Sequence, residues 1–228
     1  MTNRYLVFGA SHGTGLEVAR QLTARGDRVT AVVRQTSDRS GLEPLGVDFV
    51  IADVLDAAAV DAAFRSGDHR AVVCTVGGSR KEPQRPDVIG TQNIVDSAKR
   101  HGVRRMVLVT AVGAGDSRKV LSENAWKFLG PVIELKTAAE ACLTASGLDA
   151  TILRPGGMNS DAATGTAIKT EDHGVMGTIQ RADLAAIVIE CLDDDTTIGR
   201  IYHTIDPGIG EQPPLQRGEA PRAGEEKP

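Results

Sequence analysis

A glycine-rich loop, Gly9-Ala10-Ser11-His12-Gly13-Thr14-Gly15, joins an apolar run at residues 5–8 to a helical pattern marked by Leu16, Ala19 and Leu22. No other feature of the chain narrows its possible folds as much. One glycine of such a loop makes the tight turn out of the strand. A second lets backbone N–H groups approach an anion, and a third lets helix and strand pack closely. A merely flexible turn needs neither the strand before it nor the helix after it. Gly9, Ser11, His12, Gly13, Thr14 and Gly15 are therefore candidate ligands for a diphosphate, the central group of a dinucleotide.

The rest of the chain repeats this unit. Apolar runs at residues 29–33, 47–51, 71–75, 106–110, 150–153 and 200–205 alternate with helical stripes. The clearest stripe is Leu184, Ile187, Val188, Cys191 and Leu192; others are Val132, Leu135, Ala139, Cys142 and Leu143, and Val88, Val95 and Ala98 before Gly102. Continuous apolar strands between helices predict an α/β fold, a Rossmann-type doubly wound parallel β-sheet with helices on both faces. Aromatics are only 3% of the residues, so Val, Ile, Leu and Ala must fill the core. Right-handed crossovers bring every strand's C-terminal end to one edge, where ligands bind. The expected domain spans residues 1–206 and carries its own acceptor pocket, drawn from residues 79–86, 113–131 and 158–177. Residues 207–228 hold five of the ten prolines and almost nothing apolar, which predicts a disordered tail.

Charge and composition exclude several classes of partner. A formal charge of −4 and few aromatic faces argue against nucleic acid. No apolar run approaches membrane-spanning length, and no export signal precedes the first strand. Cys74, Cys142 and Cys191 lie far apart in apolar patterns and read as reduced core thiols. A cytoplasmic protein is expected. The five histidines show no ligand spacing, so no metal is expected, and no long amphipathic helix demands a second copy, so a monomer is expected.

Arg34 ends the second strand, nineteen residues past Gly15. An acid there would bind a free ribose 2′-hydroxyl, whereas a guanidinium pairs with a 2′-phosphate, which makes NADP(H) the expected cofactor. Thr36 and Ser37 add hydroxyls, and Arg39 is a second cation nearby. Asp53 and Val54 follow the third strand and can seat an adenine, although Asp53 can equally cap the helix that starts near Asp56. After the fourth strand, Val76, Gly77 and Gly78 offer backbone for close approach to a cofactor.

The spacing Gly9-x-x-x-Gly13-x-Gly15 resembles that of the short-chain dehydrogenase/reductases. The wider pattern resembles their atypical, NAD(P)H-binding and NmrA-like branch. It comprises Val33-Arg34, Ala52-Asp53-Val54, Gly90-Thr91-Gln92-Asn93-Ile94-Val95, residues 107–110, and Ala145-Ser146-Gly147-Leu148 followed by residues 151–157. Within that branch the chain most resembles the flavin reductase/biliverdin-IXβ reductases, from about residue 3 to residue 206. The resemblance implies reduction of flavins, bilins and related planar acceptors by NADPH. It also implies Thr110 beside the nicotinamide ribose, with Pro155 and Gly156 along the nicotinamide. The chain departs from the pattern at His12, where relatives often carry glycine, at Ala111 in place of serine, and at Gly157 in place of a pocket histidine.

Ordinary members of the superfamily use a Tyr-x-x-x-Lys pair. Lys136 takes the lysine position, but Val132 stands four residues earlier, so no tyrosine can serve there as a general acid. Lys136 either reaches a ribose hydroxyl or is a surface lysine paired with Glu140. Thr110, Lys136 and Glu82 are the candidate catalytic residues, Glu82 as a proton relay beside Arg80 and Lys81. Arg154 can meet an acidic group or form a salt bridge, and Trp126 and Phe128, before the Lys136 helix, form either a flap over an acceptor or core. Hydride transfer to a small planar acceptor needs no positioned acid and fits this set. The alternatives are an NADP(H)-sensing regulatory protein and an NADP-dependent isomerase or dehydratase.

Overall fold

Strands that are buried on both faces are predominantly apolar, and most of the runs identified above take such places in a computed structural model that describes residues 2–78 and 84–209. In chain order the elements are β1 (Arg4–Phe8), α1 (Gly13–Ala24), β2 (Arg28–Val33), β3 (Asp48–Ile51), α2 (Ala57–Phe64), β4 (Ala71–Cys74) and α3 (Asp87–Arg100). They continue as β5 (Arg105–Val109), α4 (Glu123–Thr144), β6 (Asp149–Pro155), β7 (Gly157–Asn159), β8 (Ile168–Thr170), β9 (Thr178–Gln180), α5 (Arg181–Asp193) and β10 (Ile201–Ile205). The main sheet has the order β3-β2-β1-β4-β5-β6-β10-β8. Every neighbouring pair is parallel except the edge pair β10 and β8, and β7 pairs parallel with β9 as a separate ribbon. The antiparallel β8 and the β7–β9 ribbon carry too few apolar residues to stand out in the sequence.

Successive strand residues face opposite layers. Tyr5, Val7, Ala31, Val73, Val107 and Leu153 pack beneath α1 and α5, with Val18, Leu22, Leu184 and Val188. Leu6, Phe8, Val32, Val72, Met106 and Ile152 pack beneath α2, α3 and α4, with Val60, Ile94 and Leu143. Each fully buried Leu, Val or Ile contributes about 1.5–3 kcal/mol relative to exposure. Cys74 and Cys191 are buried in these layers, and burial pushes both thiols up to about 11.

Helix ends correct two expectations. Asp56 caps α2, accepting from the N–H groups of Ala58 (2.9 Å) and Ala59 (3.2 Å), so Asp53 is not the cap. The Lys136 helix begins at Glu123, with Ser122 accepting from the N–H of Ala125, and runs on through Pro131. Trp126 and Phe128 thus lie within its first turns. An interior proline costs a helix about 3 kcal/mol, which masks that start in the sequence. At the other end of the chain, the boundary expected at residue 207 falls inside a turn. Asp206 accepts from the N–H groups of Gly208 and Ile209, the second through its carbonyl. The remainder of the predicted tail, residues 210–228, lies outside the described residues.

The chain passes from β1 outward to β3 and then returns to lay β4 on the other side of β1. That reversal opens a crevice at the C-terminal ends of β1 and β4, directly in front of the glycine loop.

Candidate functional site

The crevice is built by close backbone approach. Gly9 has φ +81, and a Cβ on it would lie 2.7 Å from Thr75 Oγ1. A Cβ on Gly15 would lie 2.7 Å from the same oxygen and 2.8 Å from the Gly9 carbonyl carbon. Thr75 in turn donates to the carbonyl of Phe8 at 3.1 Å. Strand, loop and helix can meet here only without side chains. No side chain caps α1, so its leading N–H groups are left for a ligand.

In front of the loop lies a cleft of about 370 Å³. Gly9, Ser11, His12, Gly13 and Thr14 form its centre. At the β2–β3 end, Val33, Arg34, Ser37, Asp53, Val54 and Leu55 line it. Ser37 Oγ accepts from the N–H of Arg34 at 3.1 Å and closes the turn that carries Arg34. Asp53 uses one carboxylate oxygen to accept from the N–H of Leu55, which leaves the other for a ligand. Val54 is held from behind: Asn93 donates to its carbonyl at 2.8 Å, and Gly90 allows α3 against its side chain.

At the β4–β5 end the wall includes Val76, Gly77, Gly78, Thr110 and Lys136. Lys136 Nζ lies 3.1 Å from Asp87 Oδ1, and the Arg85 guanidinium lies 3.0 Å from Asp87 Oδ2. The Asp87 side chain is only 1% exposed, so one buried carboxylate in the first turn of α3 holds two cations. Arg85 also donates to the carbonyl of Gly78. Lys136 is thus not the surface partner of Glu140. Glu140 is buried, receives the Thr110 hydroxyl at 2.6 Å, and pairs with Arg154 through Nε (3.0 Å) and Nη2 (2.7 Å).

The remaining candidates fall elsewhere. Thr36 is exposed and off the cleft wall, where Ser37 stands instead, because the turn after β2 points the later hydroxyl back. Gly15 sits behind the wall in the helix–strand contact. Pro155 and Gly156 also lie off it. The Pro155 carbonyl accepts from the N–H of Val112, and a Cβ on Gly156 would come within 2.9 Å of the Gly177 carbonyl carbon. Arg154 is spent on Glu140 and Asp116 and does not line the cleft. Trp126 packs under the Arg118 guanidinium, 4.1 Å from its ring centre, and Phe128 is 54% exposed. Neither lines the cleft. Glu82, Arg80 and Lys81 lie outside the described residues. Among the described residues no cluster of His, Cys, Asp or Glu is placed to hold a metal, and no helix is long and apolar enough to cross a membrane.

Arg85 and Met158, which fall in the stretches expected to form the acceptor pocket, also line the cleft, as does Arg181, which sequence reasoning missed. Nothing local marks Arg181, which opens α5.

A glycine-cradled crevice at the reversal point of a parallel sheet, ending in an uncapped helix, defines a Rossmann-type dinucleotide-binding protein. The profile of a family described as NAD(P)H-binding matches residues 9–195, and the chain belongs to that family. The solved structure of ChuY, an anaerobillin reductase from Escherichia coli O157:H7, superposes with a TM-score of 0.83 at 34% identity, covering 92% of this chain and 100% of that one. An uncharacterised chloroplastic protein of Arabidopsis thaliana is 32% identical over 84% of this chain and 72% of its own length. Sanguinarine reductase of Eschscholzia californica is 25% identical over 90% of each. A nicotinamide dinucleotide fits the cleft on the chain's own geometry, since the loop at its centre stands before the uncapped N-terminus of α1, whose N–H groups suit a diphosphate.

Proposed function

We propose that the chain is an NADPH-dependent reductase acting on a planar, conjugated acceptor of flavin, bilin or quinone-like type. One observation carries this reading: a complete cofactor cleft with no phenol beside it. Val132 occupies the place before Lys136, and Tyr5 and Tyr202 lie in β1 and β10, outside the cleft wall. When bound, the cofactor supplies a hydride, two electrons with one proton, and the reduced acceptor takes its further proton from water. A conjugated acceptor spreads the incoming charge and dispenses with a positioned acid, which an isolated carbonyl requires. The names of two relatives, an anaerobillin reductase and a sanguinarine reductase, support a reductase.

In this reading the chain binds, orients and excludes water. Arg34 pairs with the 2′-phosphate, and Asp53 and Val54 seat the adenine. Lys136, steadied by Asp87, donates to a ribose hydroxyl. Thr110 donates its O–H in a hydrogen bond to Glu140 and so presents only an accepting oxygen to the cleft. A cytoplasmic monomer serving a diffusible acceptor is the setting this reading implies.

The test is NADPH oxidation with FMN, dichlorophenolindophenol and biliverdin as acceptors, followed by nicotinamide absorbance. Turnover with at least one is expected. Tight NADPH binding without reduction of any acceptor would refute the reductase and favour a sensing role. Arg34→Ala is expected to weaken NADPH roughly 10- to 100-fold, the range of a charge-assisted hydrogen bond, while NADH changes by less than about threefold. Equal losses for both would refute the preference for NADP.

A further inference from the structure

Arg181 opens α5 and projects back over the glycine loop. A Cβ on Gly13 would lie 3.4 Å from Arg181 Nε and 3.6 Å from its Cδ. The side chain lines the same cleft as Ser11, His12, Gly13 and Thr14 and is half-buried there. Its protein partners are neutral: Nη1 donates to the Met158 carbonyl at 3.2 Å and to Ser160 Oγ at 2.8 Å. No carboxylate lies within ion-pair distance among the described residues, in contrast to Arg85 and Lys136, which share Asp87. A guanidinium has five N–H donors, and these two bonds take both on Nη1. The Nε and Nη2 edge remains, and it matches two phosphate oxygens side-on. That edge lies where the uncapped N–H groups of α1 also converge. A half-buried cation held rigid by neutral acceptors, with no countercharge of its own, is suited to an anion.

We propose that Arg181 is a ligand of the cofactor's diphosphate, closing over the glycine loop from α5. The proposal rests on the reading of the cleft as a nicotinamide dinucleotide site and adds a residue that the glycine motif does not contain. The guanidinium that grips the diphosphate holds Met158 and Ser160, so an occupied cofactor site stiffens the start of the segment after β6.

Ligand fragments separate this role from a merely structural tether. NADPH, 2′-phospho-ADP-ribose and adenosine 2′-monophosphate are titrated against wild type, Arg181→Met, Arg181→Lys and Ser160→Ala. Arg181→Met is expected to weaken the two diphosphate ligands roughly 10- to 100-fold and to leave adenosine 2′-monophosphate within about twofold. Arg181→Lys keeps a point charge and recovers part of the loss, and Ser160→Ala changes NADPH binding by less than about threefold. Equal weakening of all three ligands, or a Ser160→Ala loss as large as that of Arg181→Met, overturns the proposal in favour of a tether. Wild type that binds neither diphosphate ligand instead overturns the reading of the cleft itself. A measurement on the unaltered chain guards against variants that fail to fold. Phenylglyoxal modification of Arg181, read by peptide mass, is expected to be suppressed by 2′-phospho-ADP-ribose and not by adenosine 2′-monophosphate. Equal modification with both ligands overturns the assignment.

Discussion

Replacing Glu140 with Gln keeps the side chain's shape and removes its charge, and the structure sets the cost. Glu140 and Arg154 are 4% and 2% exposed, so neither charge can turn to water. In the variant, Arg154 keeps one anionic partner, Asp116, whose side chain is 68% exposed. Breaking a buried pair from one side costs about 3–5 kcal/mol. The glutamine oxygen can still accept one bond from Arg154 or Thr110, which returns about 1 kcal/mol. The net loss is about 2–4 kcal/mol, or roughly 4–16 °C in Tm for a domain of this size. Urea unfolding reads it directly, as a lower midpoint at unchanged slope. The double variant Glu140→Leu with Arg154→Met removes both charges and is expected to recover most of the loss. A Glu140→Gln chain within about 1 kcal/mol of wild type, or a double variant less stable than the single one, would refute the account of a desolvated, mutually dependent pair.

Gly15→Ala sets a methyl against backbone as well as the Thr75 side chain, with 2.8 Å to the Gly9 carbonyl carbon, so α1 must move off β1; both NADPH affinity and thermal stability are expected to fall, and a variant that binds normally would show the contact to be slack. The stacked histidines, ring centres 5.0 Å apart, are expected to titrate on opposite sides of 6.5 in an NMR pH series. Burial opposes charging at His173, but its bond to the Ile201 carbonyl and the Asp116 carboxylate together push it up, whereas burial pushes His203 down. The raised His173 therefore contributes stability that is full below 6.5 and is lost as pH rises through its folded value. His203 contributes in the opposite sense, and its share is lost as pH falls. Asp116, drawn down from 3.8 to about 2 by Arg154 and then by His173, contributes stability that is present above 3.8 and lost toward 2. Asp116→Asn is expected to lower the His173 titration, and an unmoved His173 would count against the pairing.

Much of the architecture was legible because its causes are local. Strands at the middle of a parallel sheet are predominantly apolar, so residues 29–33, 71–75 and 106–110 stand out without any partner in view. The glycine loop is equally self-contained, since the turn and the helix contact both fall within seven residues. Arg34 was legible by its distance from that loop. Short edge elements such as β8 and the β7–β9 ribbon carry no such pattern, and the α4 start was hidden by Pro131.

Read alone, the chain determined a doubly wound sheet, a glycine loop between its first strand and helix, and a guanidinium at the end of the second strand. Only the folded chain decided which charges act and which are neutralised. It gave Lys136 to Asp87, gave Glu140 to Arg154 and Thr110, and carried Arg181 to the glycine loop. Partners so far apart in sequence leave no spacing to read, because ion pairing depends on distance in space and on the water excluded between the groups.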